Sequence, residues 1–166
     1  MDDQARDIFS LVAEVGFVLA GFSAVAISLR SSHDDGWPAA TRMRAQGLLF
    51  SSLVPALLSL LVLGLSAGGT QASISYRITS ALWVGATVPF TTFSIVRMRK
   101  LAKSRESSVT PDTWGLLLIT TCFFVIALQI VNVVVLGLFW PLFSAFFYHL
   151  FAATDLFFRL MFRGPR

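Results

Sequence analysis

Four polar side chains lie inside long apolar runs of this 166-residue chain. They are Glu14, Gln129, Asn132 and His149. A carboxylate and an imidazole can pass protons between them, and amides can line a path for protons or small cations. The same groups can also join helices through hydrogen bonds, or bind a small ligand. The sequence leaves these three interpretations open.

A second candidate is a charged pair near the end of the chain. Asp155 and Arg159 are four residues apart with the acid first, which is the favourable order for an ion pair on a helix. Arg159 would then reach towards the nearby membrane interface. In the alternative interpretation Asp155 holds Arg30 or Arg97 and closes an inner vestibule.

Catalytic and metal-binding patterns are missing from the sequence. It contains no G-x-S-x-G, no C-x-x-C, no glycine-rich phosphate loop after a strand and no histidine pair at metal-ligand spacing. The single cysteine, Cys122, excludes an intrachain disulfide. His33, Asp34 and Asp35 are neighbours in one loop, which is a poor geometry for a divalent ion. We expect no metal and no cofactor, and a lipid-modifying enzyme ranks last among the functions considered.

The composition indicates which elements position these residues. Hydrophobic residues make up 55% of the chain and charged residues 13%, with a mean hydropathy of +0.74. A soluble domain of this size cannot bury so much apolar surface, whereas a membrane span needs roughly 20 apolar residues. The sequence therefore predicts an all-α protein, a single polytopic transmembrane helical bundle over residues 1–166. Its five predicted spans are residues 8–29, 46–67, 76–96, 113–138 and 141–162.

The join between the last two apolar runs decides between four spans and five. In "GLFWP", Gly137 can end one helix and Pro141 suits the first turn of the next. Trp140 between them fits the membrane interface. Local sequence therefore favours five spans.

The distribution of basic residues supports five spans independently. Eleven of the 13 lysines and arginines then fall on one side, and the exceptions are Arg6 and Arg77. With four spans the three C-terminal arginines change sides and the split becomes 8 against 5. The positive-inside rule places the N-terminus outside and the C-terminus in the cytoplasm. We expect a multi-pass protein of a bacterial plasma (inner) membrane, with no nucleic-acid partner.

One cytoplasmic loop is strongly basic. Five of the nine positions from 97 to 105 are basic, namely Arg97, Arg99, Lys100, Lys103 and Arg105. The cluster is an orientation signal on a solvated loop, or it binds anionic lipid headgroups.

Small residues in the first apolar run predict a helix contact. Gly16, Ala20, Ala24 and Ser28 recur at steps of four, which places them in one ridge where another helix can approach closely. Glu14 lies beside this ridge, so we expect it to face protein. With a rise of about 1.5 Å per residue, all four polar side chains of the apolar runs fall in the outer half of the membrane.

Several segments also carry a resemblance. "AEVGFVLAGFSAVAISLR", "RMRAQGLLFSSLVPALLSLLVLGLS", "LQIVNVVVLGLFWP" and "DLFFRLMFR" together resemble small bacterial multi-span integral membrane proteins with an "AGFSA"-type first helix. The resemblance implies a bacterial membrane protein and brings no activity or site residue with it.

Two functions follow as hypotheses. The first is passage of protons or small ions through a homo-oligomer, with Glu14 as titratable gate, His149 as its partner and the amides of Gln129 and Asn132 as lining. The alternative is a non-catalytic accessory or scaffold subunit of a larger membrane complex, docked through the Gly16 ridge and the basic loops.

Overall fold

A computed structural model describes residues 1–31, 39–103 and 113–162, and the regular secondary structure within them is entirely helical. Helix α1 is Asp3–Ser31, α2 is Ala39–Ala67 and α3 is Ala72–Lys103. Helix α4, Thr113–Val131, continues as a π-helical turn, Asn132–Leu136, and α5 is Phe139–Phe162. All five helices are long and apolar enough to cross a membrane. The predicted all-α fold with five candidate spans is confirmed, while the orientation of the termini stays a prediction.

The helices extend beyond the predicted spans. Helix α2 begins at Ala39 rather than at residue 46, and α3 ends at Lys103 rather than at residue 96. Arg97, Arg99 and Lys100 therefore lie in the last turns of α3, and their assignment to a loop was wrong. Hydropathy marks only the part of a helix that hydrocarbon can cover, whereas the hydrogen-bonded backbone continues into polar turns.

Helix α5 is the centre of the bundle and packs against each of the other four helices. Helix α1 packs along α2 and over a shorter length against α5. The main core is aromatic, because the buried ring of Phe9 lies 6.0 Å from those of Tyr76 and Phe146 and 5.3 Å from that of Phe139. These contacts define the amino-terminal side of the bundle, where α1 begins.

The outer surface of the bundle is apolar. Phe124 and Val134 are each 69% exposed, and Phe22 and Trp140 are exposed to 62% and 64%. Soluble monomers rarely expose contiguous apolar patches of such extent. The surface is the one expected of a multi-pass membrane protein, where lipid covers these side chains.

The contact face of α1 differs in part from the predicted ridge. Gly16 and Ala20 are buried, but Ala24 and Ser28 are exposed, so the second half of the prediction was wrong. A step of four residues turns the helix about 40° past a full circle, so such a row winds away from a neighbour within three steps. The buried face instead follows a mixture of three-residue and four-residue steps, through Phe9, Val12, Gly16, Ala20 and Ser23.

Helices α1 and α2 approach each other closely at Gly16. A Cβ atom placed on Gly16 would lie 2.8 Å from the Cβ of Ala56 and 2.8 Å from the backbone oxygen of Ser52. The ridge thus holds two helices of the same chain together. Gly16 is therefore occupied within the chain, which contradicts its predicted use as a docking surface for another protein.

Candidate functional site

Two buried amides on the amino-terminal side form one hydrogen-bond network with Ser80. Ser80 Oγ donates to Gln129 Oε1 over 2.9 Å, and Asn132 Nδ2 donates to Ser80 Oγ over 2.9 Å. Gln129 Nε2 donates to the backbone oxygen of Pro141. Asn132 also accepts the N–H of Leu138 over 2.9 Å and donates to its carbonyl over 3.2 Å. The network joins α3, the end of α4 and the start of α5.

The chain reverses between α4 and α5 at Gly137, as the sequence predicts. Gly137 is left-handed, with φ of +61°, and its N–H donates to the carbonyl of Asn132 over 2.9 Å. A Cβ atom here would lie 2.7 Å from Nε of Arg77 and 3.2 Å from the backbone oxygen of Ser73. Glycine is therefore required at this position for two reasons. It adopts the left-handed backbone angle without strain, and its lack of a side chain lets α3 approach closely.

Arg77 caps the π-helical turn. Its guanidinium donates to the carbonyls of Val133 and Val134, each over 3.3 Å, and to that of Val135 over 2.8 Å. The last carbonyls of a helix lack partners within it, and a cation also suits the negative end of the helix dipole. Sequence reasoning counted Arg77 only as a topology charge and missed Ser80. The signal for both was the polar start of α3, with its hydroxyl and basic residues.

His149 lies in a separate position on α5. It is 3% exposed, and its Nε2 lies 3.4 Å from Oγ1 of Thr87 on α3. The imidazole packs edge to face against the indole of Trp83 at 5.4 Å and beside Phe50 at 5.7 Å. Within the described residues no hydrogen bond connects His149 to Gln129 or Asn132. The predicted cluster is thus divided into an amide network and a histidine.

Four buried polar atoms have no hydrogen-bond partner among the residues that the structure describes. They are Ser59 Oγ, Thr79 Oγ1, Trp83 Nε1 and His149 Nδ1. Thr79 and Trp83 are four residues apart on one face of α3, and Trp83 contacts His149. An unpartnered buried polar group costs about 1–3 kcal/mol, and such groups are where internal water usually binds. The interior between α2, α3 and α5 therefore has spare hydrogen-bonding capacity.

Glu14 is exposed on α1 and does not join the cluster. A separation of two residues rotates about 200° around a helix, so Glu14 points away from the Gly16 face. The expectation that Glu14 faces the other helices of its chain was wrong. The side chain of Glu14 makes no hydrogen bond or ion pair within the described part of the chain.

The surroundings of Glu14 are apolar. Leu11 and Val18, one turn to either side, are 58% and 55% exposed. Glu14 also lies about 16 Å from the start and about 21 Å from the end of the candidate span Asp3–Ser28. The structure therefore places a carboxylate on the outer surface of the bundle, far from both ends of the span.

The predicted ion pair on α5 is formed. Nε of Arg159 lies 2.8 Å from Oδ2 of Asp155, and the two side chains are 18% and 19% exposed. Arg97 donates to Oε1 of Gln46 over 3.1 Å and lies 5.9 Å from the ring centre of Phe93. Arg97 is thus turned towards α2 and not towards Asp155, and the side chain of Arg30, the other predicted partner of Asp155, lies outside the described part of the structure.

The remaining predicted sites are only partly described. Arg99 and Lys100 are exposed at the end of α3, and Lys103 is its last residue, whereas Arg105 lies outside the described residues. Lipid-headgroup binding there stays a prediction. His33, Asp34 and Asp35 also lie outside the described residues. Across residues 1–31, 39–103 and 113–162, no three His, Cys, Asp or Glu side chains are grouped to hold a metal ion.

Comparisons of the chain with protein-family models, with curated proteins and with solved structures give no match.

Proposed function

We propose that this protein is a non-catalytic subunit of a larger membrane complex, joined to another membrane protein through an exposed face of α1. The observation that carries the proposal is the position of Glu14, a carboxylate on an apolar outer surface near the middle of a candidate span. A charged side chain at such depth costs about 2.5 kcal/mol or more in lipid, so intramembrane acids usually face protein. Association with a second protein would remove Glu14 from lipid.

The exposed residues around Glu14 form a surface suited to helix packing, which we name the Glu14 face. It consists of Leu11, Glu14, Val18, Gly21 and Val25, all exposed and within about 80° of one another around α1. A Cβ atom on Gly21 would meet nothing within 4 Å. Glycine at such a point permits the backbone of another helix to approach closely, as is common where membrane helices associate.

Measurement of the intact mass of the protein, extracted gently from its native membrane, tests the proposal. We expect a defined complex that contains other proteins besides the 18.2 kDa chain. Gly21→Leu should release the chain from this complex because it fills the Glu14 face. Gly85→Leu is the matched control, since Gly85 is also an exposed helical glycine with open space. A single chain, a homo-oligomer alone, or equal behaviour of the two variants would contradict the proposal.

The second candidate function is the passage of protons or small ions. The unpartnered polar atoms of Ser59, Thr79, Trp83 and His149 favour it, because hydrated polar groups inside a bundle can relay protons. Glu14 lies outside this group, so His149 takes the central role. A proton flux into liposomes that is lost in His149→Leu and kept in Glu14→Gln would support this function. The absence of flux in the unaltered protein would exclude it.

A further inference from the structure

We infer that the partner at the Glu14 face is a membrane-spanning helix of a different protein, carrying a lysine or arginine at the depth of Glu14. The inference rests on the proposed function and specifies the chemistry of the partner. It follows from the side chains that the other helices of this chain expose at the depth of Glu14.

Contacts between helices establish which residues lie level with Glu14. Gly16 meets Ser52 and Ala56 of α2, and the rings of Phe50 on α2 and Phe90 on α3 stack at 3.8 Å. Ser80 and Thr91 of α3 contact Gln129 and Cys122 of α4, and Trp83 contacts His149 of α5. Because neighbouring helices rise equally, Glu14 is level with residues near 56, 84, 127 and 148.

Within one turn of that level, α2 to α5 expose only apolar side chains and glycine. They include Leu57, Leu82, Phe124, Ile130 and Phe147. Two half-buried hydroxyls of α2 to α5 also lie at this depth, and both already donate within the chain. Ser144 donates to the carbonyl of Pro141 and Tyr148 to that of Leu118.

A second copy of the chain therefore does not complement Glu14. If α1 packed against any of α2 to α5 of another copy, Glu14 would meet hydrocarbon side chains instead of lipid. If two α1 helices packed together in parallel, two carboxylates would face each other at the same depth, and like charges repel. The occupant must bring a basic side chain, since no described helix of this chain carries a lysine or arginine within one turn of that depth.

A basic side chain is the complement that the charge of Glu14 selects. A lysine or arginine inside a membrane carries the same penalty as an acid, and the two penalties are relieved together when the charges pair. Gly21 lies two turns along the same face and leaves room for the partner helix to come near. The partner helix would thus be fixed in depth by the charge pair and in distance by the glycine.

Binding of designed helices to the full-length protein tests this inference. The probe is a synthetic leucine and alanine transmembrane peptide with one lysine at the depth of Glu14, in phosphatidylcholine vesicles. Two control peptides carry glutamine or leucine in place of the lysine. Fluorescence energy transfer between labelled protein and peptide measures association, and we expect the lysine peptide to bind about tenfold more tightly than either control.

Variants of the protein separate the charge from the shape of the face. Glu14→Gln should reduce binding of the lysine peptide to the level of the control peptides. Gly21→Leu should weaken that binding, and Gly85→Leu should leave it unchanged. Equal binding of the lysine and leucine peptides, or a lysine preference that persists in Glu14→Gln, would overturn the inference.

Two further results distinguish the inference from the proposed function. Energy transfer between two differently labelled copies, lost in Glu14→Gln, would make a second copy the occupant and overturn the inference. If a native complex depends on Gly21 while the three peptides bind equally, the subunit function stands and the basic partner is wrong. If the native protein is a single chain, the subunit function itself fails.

Discussion

Replacement of Gly16 by alanine should destabilise the bundle, although alanine is the better helix former. The added Cβ would lie 2.8 Å from Ala56 Cβ and from the backbone oxygen of Ser52. Carbon atoms prefer a separation of about 3.5–4.0 Å, and a helix backbone cannot rotate out of the way as a side chain can. Helices α1 and α2 must therefore separate slightly, and overpacking of this kind typically costs about 1–3 kcal/mol.

Gly21→Ala on the same helix is the control that isolates this cost. Both substitutions gain the helix propensity of alanine, about 1 kcal/mol, but the new Cβ on Gly21 meets nothing within 4 Å. The propensity gain cancels in the comparison, so the difference between the two variants is the packing cost alone. We expect Gly16→Ala to be less stable than Gly21→Ala by about 1–3 kcal/mol.

Unfolding of the purified protein measures the difference. Both variants and the unaltered protein would be titrated with sodium dodecyl sulfate in mixed micelles, with tryptophan fluorescence as the signal. Gly16→Ala should unfold at a lower detergent fraction than the unaltered protein, and Gly21→Ala at the same or a higher fraction. Coincident transitions for Gly16→Ala and Gly21→Ala would refute the close contact of α1 and α2.

Three further predictions use the same titration. Gly137→Ala should lower stability more than Gly69→Ala, since both glycines are left-handed but only a Cβ at Gly137 meets Arg77; equal losses would show that backbone angle alone matters. Asn132→Leu should lower the free energy of unfolding by about 2 kcal/mol, because three hydrogen bonds are lost, and an unchanged midpoint would contradict the network. Glu14→Gln should leave stability within about 0.5 kcal/mol of the unaltered protein, as expected of a surface substitution, and a large loss would mean that Glu14 has a partner within its chain.

The positions of the helices along the chain, and of contacts within one helix, were predictable because they depend on local sequence. The five apolar runs correspond to the five helices, and the break at Gly137 with Pro141 in the first turn of α5 is as predicted. A positive φ selects glycine and a first turn accepts proline, and neither preference needs information from distant residues. The Asp155–Arg159 pair belongs to the same category, since both residues lie on one helix face.

The sequence predicted where the candidate-site residues lie along the helix axes. It did not predict in which direction around the axes their side chains point. The rise per residue correctly placed Gln129 and Asn132 near one another in depth, and Ser80 joins them. Rotation was not predictable, because α1 carries apolar side chains on its buried and exposed faces alike. In lipid no amphipathic stripe shows which face turns inward.

The sequence by itself therefore determined how many helices there are, where they begin and end to within two turns, and where each polar residue lies along its helix. Only the tertiary structure decided that Gly16 closes the contact with α2, that His149 lies apart from the amides, and that Glu14 points outward. These outcomes depend on which helices become neighbours. That choice is made by shape complementarity between surfaces of similar hydrophobicity, and such complementarity is a property of the assembled bundle.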